Sequence, residues 1–325
     1  MISPTCMLML GMLAALLAAP LAATEAPSAR AWIERMAAAI MHMDYQGTFV
    51  YMRGEQMETL RITHVVKDDG VHERLYSVTG PHREIIRDTG TVRTVLADGG
   101  SIIEEAVVSG AIFPEFPIGE PEGASEYRFE TGGKARIAGH QGRRVTVVPK
   151  DEFRYGYDLW LEAQTGLLLK WVLFNSEQQE LAKLVFTELR LGDEVDPDEL
   201  ISTTPPEAFV EMETPMAKRQ MLSNSEPEWQ PDYLPPGYRL TTHRHQPGGN
   251  GTFEHLVYSD GLASVSVYIE SKQGAPEVNP GLSRIGTAHA FKRDLGERQV
   301  IVIGEVPPAT VRAIGDAFRV PQMRR

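Results

Sequence analysis

Cysteine is almost missing from this chain: of 325 residues only Cys6 is one. No internal disulfide can form, and a thiolate metal site or a cysteine nucleophile is excluded once Cys6 is removed by processing. Basic residues are outnumbered, 32 Lys and Arg against 44 Asp and Glu, for a formal charge of −12. Neutralising phosphates needs a basic surface, so no nucleic-acid partner is expected. No apolar run approaches the roughly 20 residues that cross a bilayer as a helix. Catalytic signatures are also missing. There is no G-x-S-x-G, no phosphate-binding G-x-x-x-x-G-K-[ST], no H-E-x-x-H, and no G-x-G-x-x-G between a strand and a helix. The chain is therefore expected not to be an enzyme and to carry no cofactor.

What is present suits a folded protein. A hydrophobic content of 42% over 325 residues supports a real core and about two domains. The charge is uneven: Glu226–Arg325 holds 11 basic and 11 acidic residues, leaving 21 and 33 in the rest. Two modules with different partners are implied. At the N-terminus Met7 to Ala19 is a thirteen-residue apolar stretch followed by Pro20-Leu21-Ala22-Ala23 and then polar Thr24-Glu25. Too short to span, it reads as an export signal occupying residues 1–23, although Met1 to Cys6 supplies no Lys or Arg. A periplasmic location follows for a bacterial protein.

Ser28 can cap a helix with Trp32, Ile33, Met36, Ile40 and Met41 on one stripe. From Tyr45 the period changes to two. Strands are predicted at Thr48–Tyr51, Thr59–Val66, Val71–Val78, Glu84–Arg87, Thr91–Leu96, Ile102–Val108, Ala135–Ala138, Arg143–Val148, Tyr155–Glu162, Leu167–Phe174 and Leu181–Leu191, with turn residues at the spacing of an antiparallel meander. The later strands are apolar on both faces, so the sheet is either sandwiched or curled around an apolar cavity partly covered by a helix. The same-parity sets Phe49/Tyr51, Leu60/Ile62, Leu159/Leu161 and Leu169/Trp171 line that cavity or are ordinary core.

Residues 203–228 are proline-rich and expected to be a linker between a first domain, 24–202, and a second, 229–325. Strands at Tyr238–Thr242, Glu254–Tyr258, Ala263–Glu270, Thr287–Arg293 and Gln299–Gly304, then a helix opening at Pro307-Pro308 with Val311, Ile314 and Phe318 on one face, make the second module α+β. Trp229, Tyr233 and Tyr238 are aromatic anchors for a partner, or else pack the linker onto this module. His243-x-His245 puts two imidazoles on one strand face. With His255 as the only other imidazole in reach across a hairpin, no metal site is expected.

Several stretches together resemble the RseB/MucB family: Tyr45 to Tyr51 (YQGTFVY), Glu58 to His64 (ETLRITH), Gly80 to Ile86 (GPHREII), Arg154-Tyr155-Gly156-Tyr157 with Trp160, Trp229-Gln230-Pro231, Leu234 to Tyr238 (LPPGY), Tyr258 to Leu262 (YSDGL) and Gly304 to Pro308 (GEVPP). They run in order through nearly the whole chain. The resemblance implies a periplasmic negative regulator of an envelope-stress sigma factor. Its fold would be α+β: a large unclosed antiparallel β-barrel similar to LolA, LolB and LppX, with a covering helix, then a smaller C-terminal α+β domain. The implied partner is the periplasmic region of a membrane-spanning anti-sigma factor (RseA or MucA), shielded from its site-1 protease and released by lipopolysaccharide or lipoprotein acyl chains. Association with a second copy is a further expectation. The rival readings are a periplasmic lipid or lipoprotein carrier and a hydrolase with an unfamiliar site around His243 and His245.

Overall fold

The structure is a computed structural model that describes residues 27–80, 82–88, 91–95, 113, 126–205, 210–213, 227–248, 251–272 and 280–320. The export signal, the strand expected at Ile102–Val108 and most of the linker lie outside these residues.

Alternating sequence becomes one large antiparallel sheet of eleven strands. The first five, β1 (Tyr45–Arg53), β2 (Gln56–Lys67), β3 (Gly70–Ser77), β4 (Glu84–Asp88) and β5 (Thr91–Val95), form a meander. So do β6 (Tyr127–Ile137), β7 (His140–Pro149), β8 (Gly156–Glu162), β9 (Leu168–Phe174) and β10 (Glu180–Leu191). Pairing of β1 with β10 joins the two meanders. A short β11 (Val210–Glu213), inside the stretch expected to be linker, pairs with β5. The strand order runs from β11 to β6 without the two ends pairing, so the sheet is unclosed.

Helix α1 (Ala29–His42) starts where Ser28 accepts a hydrogen bond from the Ala31 amide at 3.2 Å, as its cap position predicts. It buries Trp32, Ile33, Met36 and Ala39, all within the same apolar cluster as the inward face of the sheet. Met41 does not join them and is 40% exposed. At about 100° per residue it sits on the opposite side of the helix from Trp32, and Ala39 takes the inward position.

The C-terminal domain is a six-stranded antiparallel sheet in the order β12 (Arg239–Gly248), β13 (Gly251–Ser259), β14 (Ser264–Ser271), β17 (Arg298–Gly304), β16 (Ala288–Leu295), β15 (Gly281–Ile285). Helix α2 (Pro308–Ala317) opens with proline at its first turn and lays Val311 and Ile314 on β16 and β17. Strand β15 escaped the sequence reading because it is an exposed edge: Leu282 and Ile285 face outward, leaving no alternation to detect.

Gly156 is required by close approach. A Cβ on Gly156 would overlap the Phe174 ring and sit 3.0 Å from the Val147 carbonyl oxygen. Gly156→Ala is expected to destabilise the N-terminal domain by about 1–3 kcal/mol, as overpacking does, read as a lowered urea midpoint at unchanged slope.

Candidate functional site: the concave face and the domain junction

Cross-strand register decides which residues share a face, because directly opposed residues of an antiparallel pair point the same way. Phe49 opposes Leu60 on β2 and Phe186 on β10. Tyr51 opposes Leu184, Leu184 opposes Trp171, and Trp171 opposes Leu159. Ile62 continues this face opposite Gly47. A bulge between Trp160 and Leu161 pairs Leu161 with Leu168, and this register break turns both Leu168 and Leu169 into the same cluster. It accounts for part of the two-faced apolar pattern seen in the sequence. Val172 and Phe174 are buried outside the cluster.

All eight candidate lining residues, Phe49, Tyr51, Leu60, Ile62, Leu159, Leu161, Leu169 and Trp171, therefore meet in one apolar cluster on the inward face of the sheet, together with α1. Seven are buried and Tyr51 is half-buried. Two aromatic groups stand on this surface. Phe49 packs edge-on against Phe186 at 5.4 Å and tilted against Phe113 at 6.5 Å. Trp171 meets Tyr51 at 5.9 Å and Tyr157 at 6.3 Å, both edge-on. Burial, and after it the charge of Glu305 in the C-terminal domain, push the Tyr51 phenol up to about 12.

His64 lies at the side of this surface, stacked on Tyr45 at 4.6 Å. Its Nδ1 is 3.0 Å from the Met43 carbonyl, which can only accept, so Nδ1 carries the proton of the neutral ring. Burial holds its pKa below the ordinary value against the opposing pull of Glu73. A histidine depressed in the folded state binds its proton more readily when unfolded. Its contribution is therefore nil above about pH 6.5 and destabilising as pH falls below that value towards its folded pKa. His64→Phe should lose less stability than the parent protein between pH 7 and pH 5, measured by urea unfolding at each pH.

The two domains meet around a buried ion pair that the sequence did not reveal. Arg154, in the segment leading into β8, donates from Nε to Asp260 Oδ2 at 2.6 Å, and neither side chain is exposed. Tyr127 donates its hydroxyl to the same oxygen at 3.0 Å. Asp260 Oδ1 accepts the Leu262 and Ala263 amides at 2.9 and 2.8 Å, so the turn between β13 and β14 is built around the carboxylate. The remaining guanidinium nitrogens reach Asp151 and the Pro236 carbonyl. Arg154 also lies over the Tyr238 ring at 5.2 Å and the Tyr127 ring at 5.6 Å. Burial works against the guanidinium charge, but Asp260 outweighs it and raises the pKa, so the group stays charged. The Phe153 carbonyl accepts from Tyr238 at 3.3 Å and from Thr310 at 2.8 Å. Arg53 binds Thr287 and pairs with Glu305 at 3.2 Å. Thus Arg154-Tyr155-Gly156-Tyr157, Leu234 to Tyr238 and Tyr258 to Leu262 come together at one junction.

The candidate partner aromatics separate. Trp229 and Tyr238 are buried in the C-terminal core, where Pro231 also bridges to Phe318. Tyr233 is 50% exposed. Among the histidines, the β12–β13 register sets Glu254 opposite His245 and on the same face as His243, while His255 opposes Arg244 on the other face and stacks on Tyr268 at 4.4 Å. The third group beside His243 and His245 is thus a carboxylate and not His255.

Comparison with known proteins settles the family. The MucB/RseB N-terminal domain model matches residues 28–204 and the MucB/RseB C-terminal domain model matches 223–319. The chain belongs to the MucB/RseB family. Among its relatives, the Pseudomonas aeruginosa sigma factor AlgU regulatory protein MucB is 34% identical, over 95% of this chain and 95% of that protein. The Haemophilus influenzae sigma-E factor regulatory protein RseB is 24% identical, over 92% and 93%. The solved complex of Pseudomonas aeruginosa MucA and MucB superposes with a TM-score of 0.72 at 30% identity, covering 90% of this chain and 99% of the matched one. A crystal structure of MucB matches with a TM-score of 0.63 at the same identity. Both domains of this MucB/RseB-family chain are thus covered, and its fold is the unclosed barrel plus α+β domain that the resemblance implied. No helix among the described residues is long and apolar enough to cross a membrane.

Proposed function

We propose that this protein is a periplasmic regulator that binds the periplasmic region of a membrane-spanning anti-sigma factor and shields it from its first protease. The observation that carries this reading is the likeness, over 90% of this chain, to MucB in its complex with MucA. Exposed Tyr233, next to the junction segment Leu234 to Tyr238, is the candidate partner contact on the C-terminal domain. The concave face receives an acyl chain of lipopolysaccharide or of a lipoprotein, and occupancy lowers affinity for the anti-sigma factor.

A route for that coupling lies in β8. Its inward residues Leu159 and Leu161 belong to the concave cluster, Tyr157 touches Trp171, and the residues just before it carry the Arg154–Asp260 pair. An acyl chain that shifts the Trp171–Tyr157 contact would act on the junction directly. Such coupling is reciprocal, so the partner must weaken lipid binding by the same factor. Titration calorimetry of the mature chain with the anti-sigma factor's periplasmic region should give a saturable one-to-one heat, weakened when lipopolysaccharide is included. No saturable heat would end the regulator reading. An unchanged isotherm with lipopolysaccharide would end the sensing part alone.

A further inference from the structure

The structure assigns a transition-metal site, best suited to Zn²⁺, to His243, His245 and Glu254 at the β12 edge of the C-terminal sheet. One ligand atom from each of the three lies within 4.8 Å of the others. His243 Nε2 is 2.7 Å and His245 Nε2 3.7 Å from Glu254 Oε1. The imidazole centroids are 5.0 Å apart. Ligands around tetrahedral zinc, each bound at about 2.0–2.2 Å, stand roughly 3.3 Å from one another, a value these two separations bracket.

The second oxygen of Glu254 provides the independent sign of a ligand. The residue is 2% exposed, and while Oε1 accepts from the Glu228 amide at 3.0 Å and faces both imidazoles, Oε2 is buried with no hydrogen-bond partner. A buried carboxylate oxygen left without a partner is costly, and a cation held by both Glu254 oxygens would satisfy it. Two imidazoles and a carboxylate are a donor set zinc favours, with a further position open for water or another ligand. That position lies on the side of His245, whose side chain is 44% exposed, whereas His243 is buried. A bound ion would fasten β12 to β13 and, through Glu228, to the segment that enters the domain.

The test uses the mature full chain, freed of metal with chelator and dialysed against zinc alone at neutral pH, together with His245→Ala and His255→Ala. His245 is exposed, so its removal leaves the core intact, and His255 faces away from the site. The parent and His255→Ala should each bind one zinc that His245→Ala binds at least about tenfold more weakly, as expected when one of three ligands is lost. Zinc should also raise the thermal midpoint of the parent more than that of His245→Ala, because binding to the folded state stabilises it. Absence of saturable binding, or equal affinity in His245→Ala and the parent, would show the cluster to be only a hydrogen-bonded His–Glu pair and overturn the assignment.

Discussion

Arg154→Ala is expected to destabilise the protein by about 3–5 kcal/mol, the usual cost of removing one partner of a buried ion pair. The loss goes beyond a single hydrogen bond. Asp260 would remain in the interior with Tyr127 and two turn amides but no counter-charge. The Pro236 carbonyl would lose its guanidinium donor as well. Asp260→Leu should be comparably damaging, because it strands Arg154 and unties the turn at residues 260–263. The double substitution Arg154→Met with Asp260→Leu distinguishes an electrostatic lock from ordinary packing. Apolar replacement of both ends of a buried pair is often close to neutral, so the double variant should be more stable than Asp260→Leu alone. Urea unfolding of the parent, Arg154→Met, Asp260→Leu and the double variant checks this, and a double variant whose loss equals the sum of those two singles would contradict the lock. The domain junction should also loosen in Arg154→Ala, seen as faster limited proteolysis than in the parent.

Phe49→Ala carries the other large effect. Phe49, on β1, is fully buried against Phe186 on β10, Leu60 on β2 and Phe113. Truncating a phenylalanine in such a setting costs about 3–5 kcal/mol, the spread reflecting how far the neighbours relax into the space. The same change enlarges the room on the concave face. If that face takes an acyl chain, a fluorescent fatty-acyl probe should bind Phe49→Ala at least as tightly as the parent despite the lower stability. Loss of probe binding in Tyr268→Ala, on the C-terminal sheet, with binding unaltered in Phe49→Ala would place the acyl site elsewhere.

Much of this architecture was legible in the sequence, for physical reasons that differ by element. The period-two alternation of β1, β2 and β7 marks strands with one buried face, and Ser28 and Pro308 mark helix starts through the backbone groups they satisfy or lack. The eight candidate lining residues could be grouped by parity within each strand. Parity could not show that the four pairs share one face, since that depends on cross-strand register and on the bulge at Leu161. The Arg154–Asp260 pair was invisible because its members lie 106 residues apart and each sits in a stretch that reads as an ordinary turn. Trp229 and Tyr238 look alike to Tyr233 in sequence, yet only packing decides that the first two are core and the third is surface. Glu254 escaped notice as a neighbour of His243 and His245 for the same reason as the ion pair: it depends on the β12–β13 register, and no residue of these strands advertises which side chains will face each other.

The most direct test of the regulator account is the rate at which the first protease cleaves the anti-sigma factor's periplasmic region. Adding an equimolar amount of this protein should slow cleavage strongly, and adding lipopolysaccharide should restore it. A cleavage rate indifferent to the protein, at concentrations well above that of the anti-sigma factor, would contradict the account.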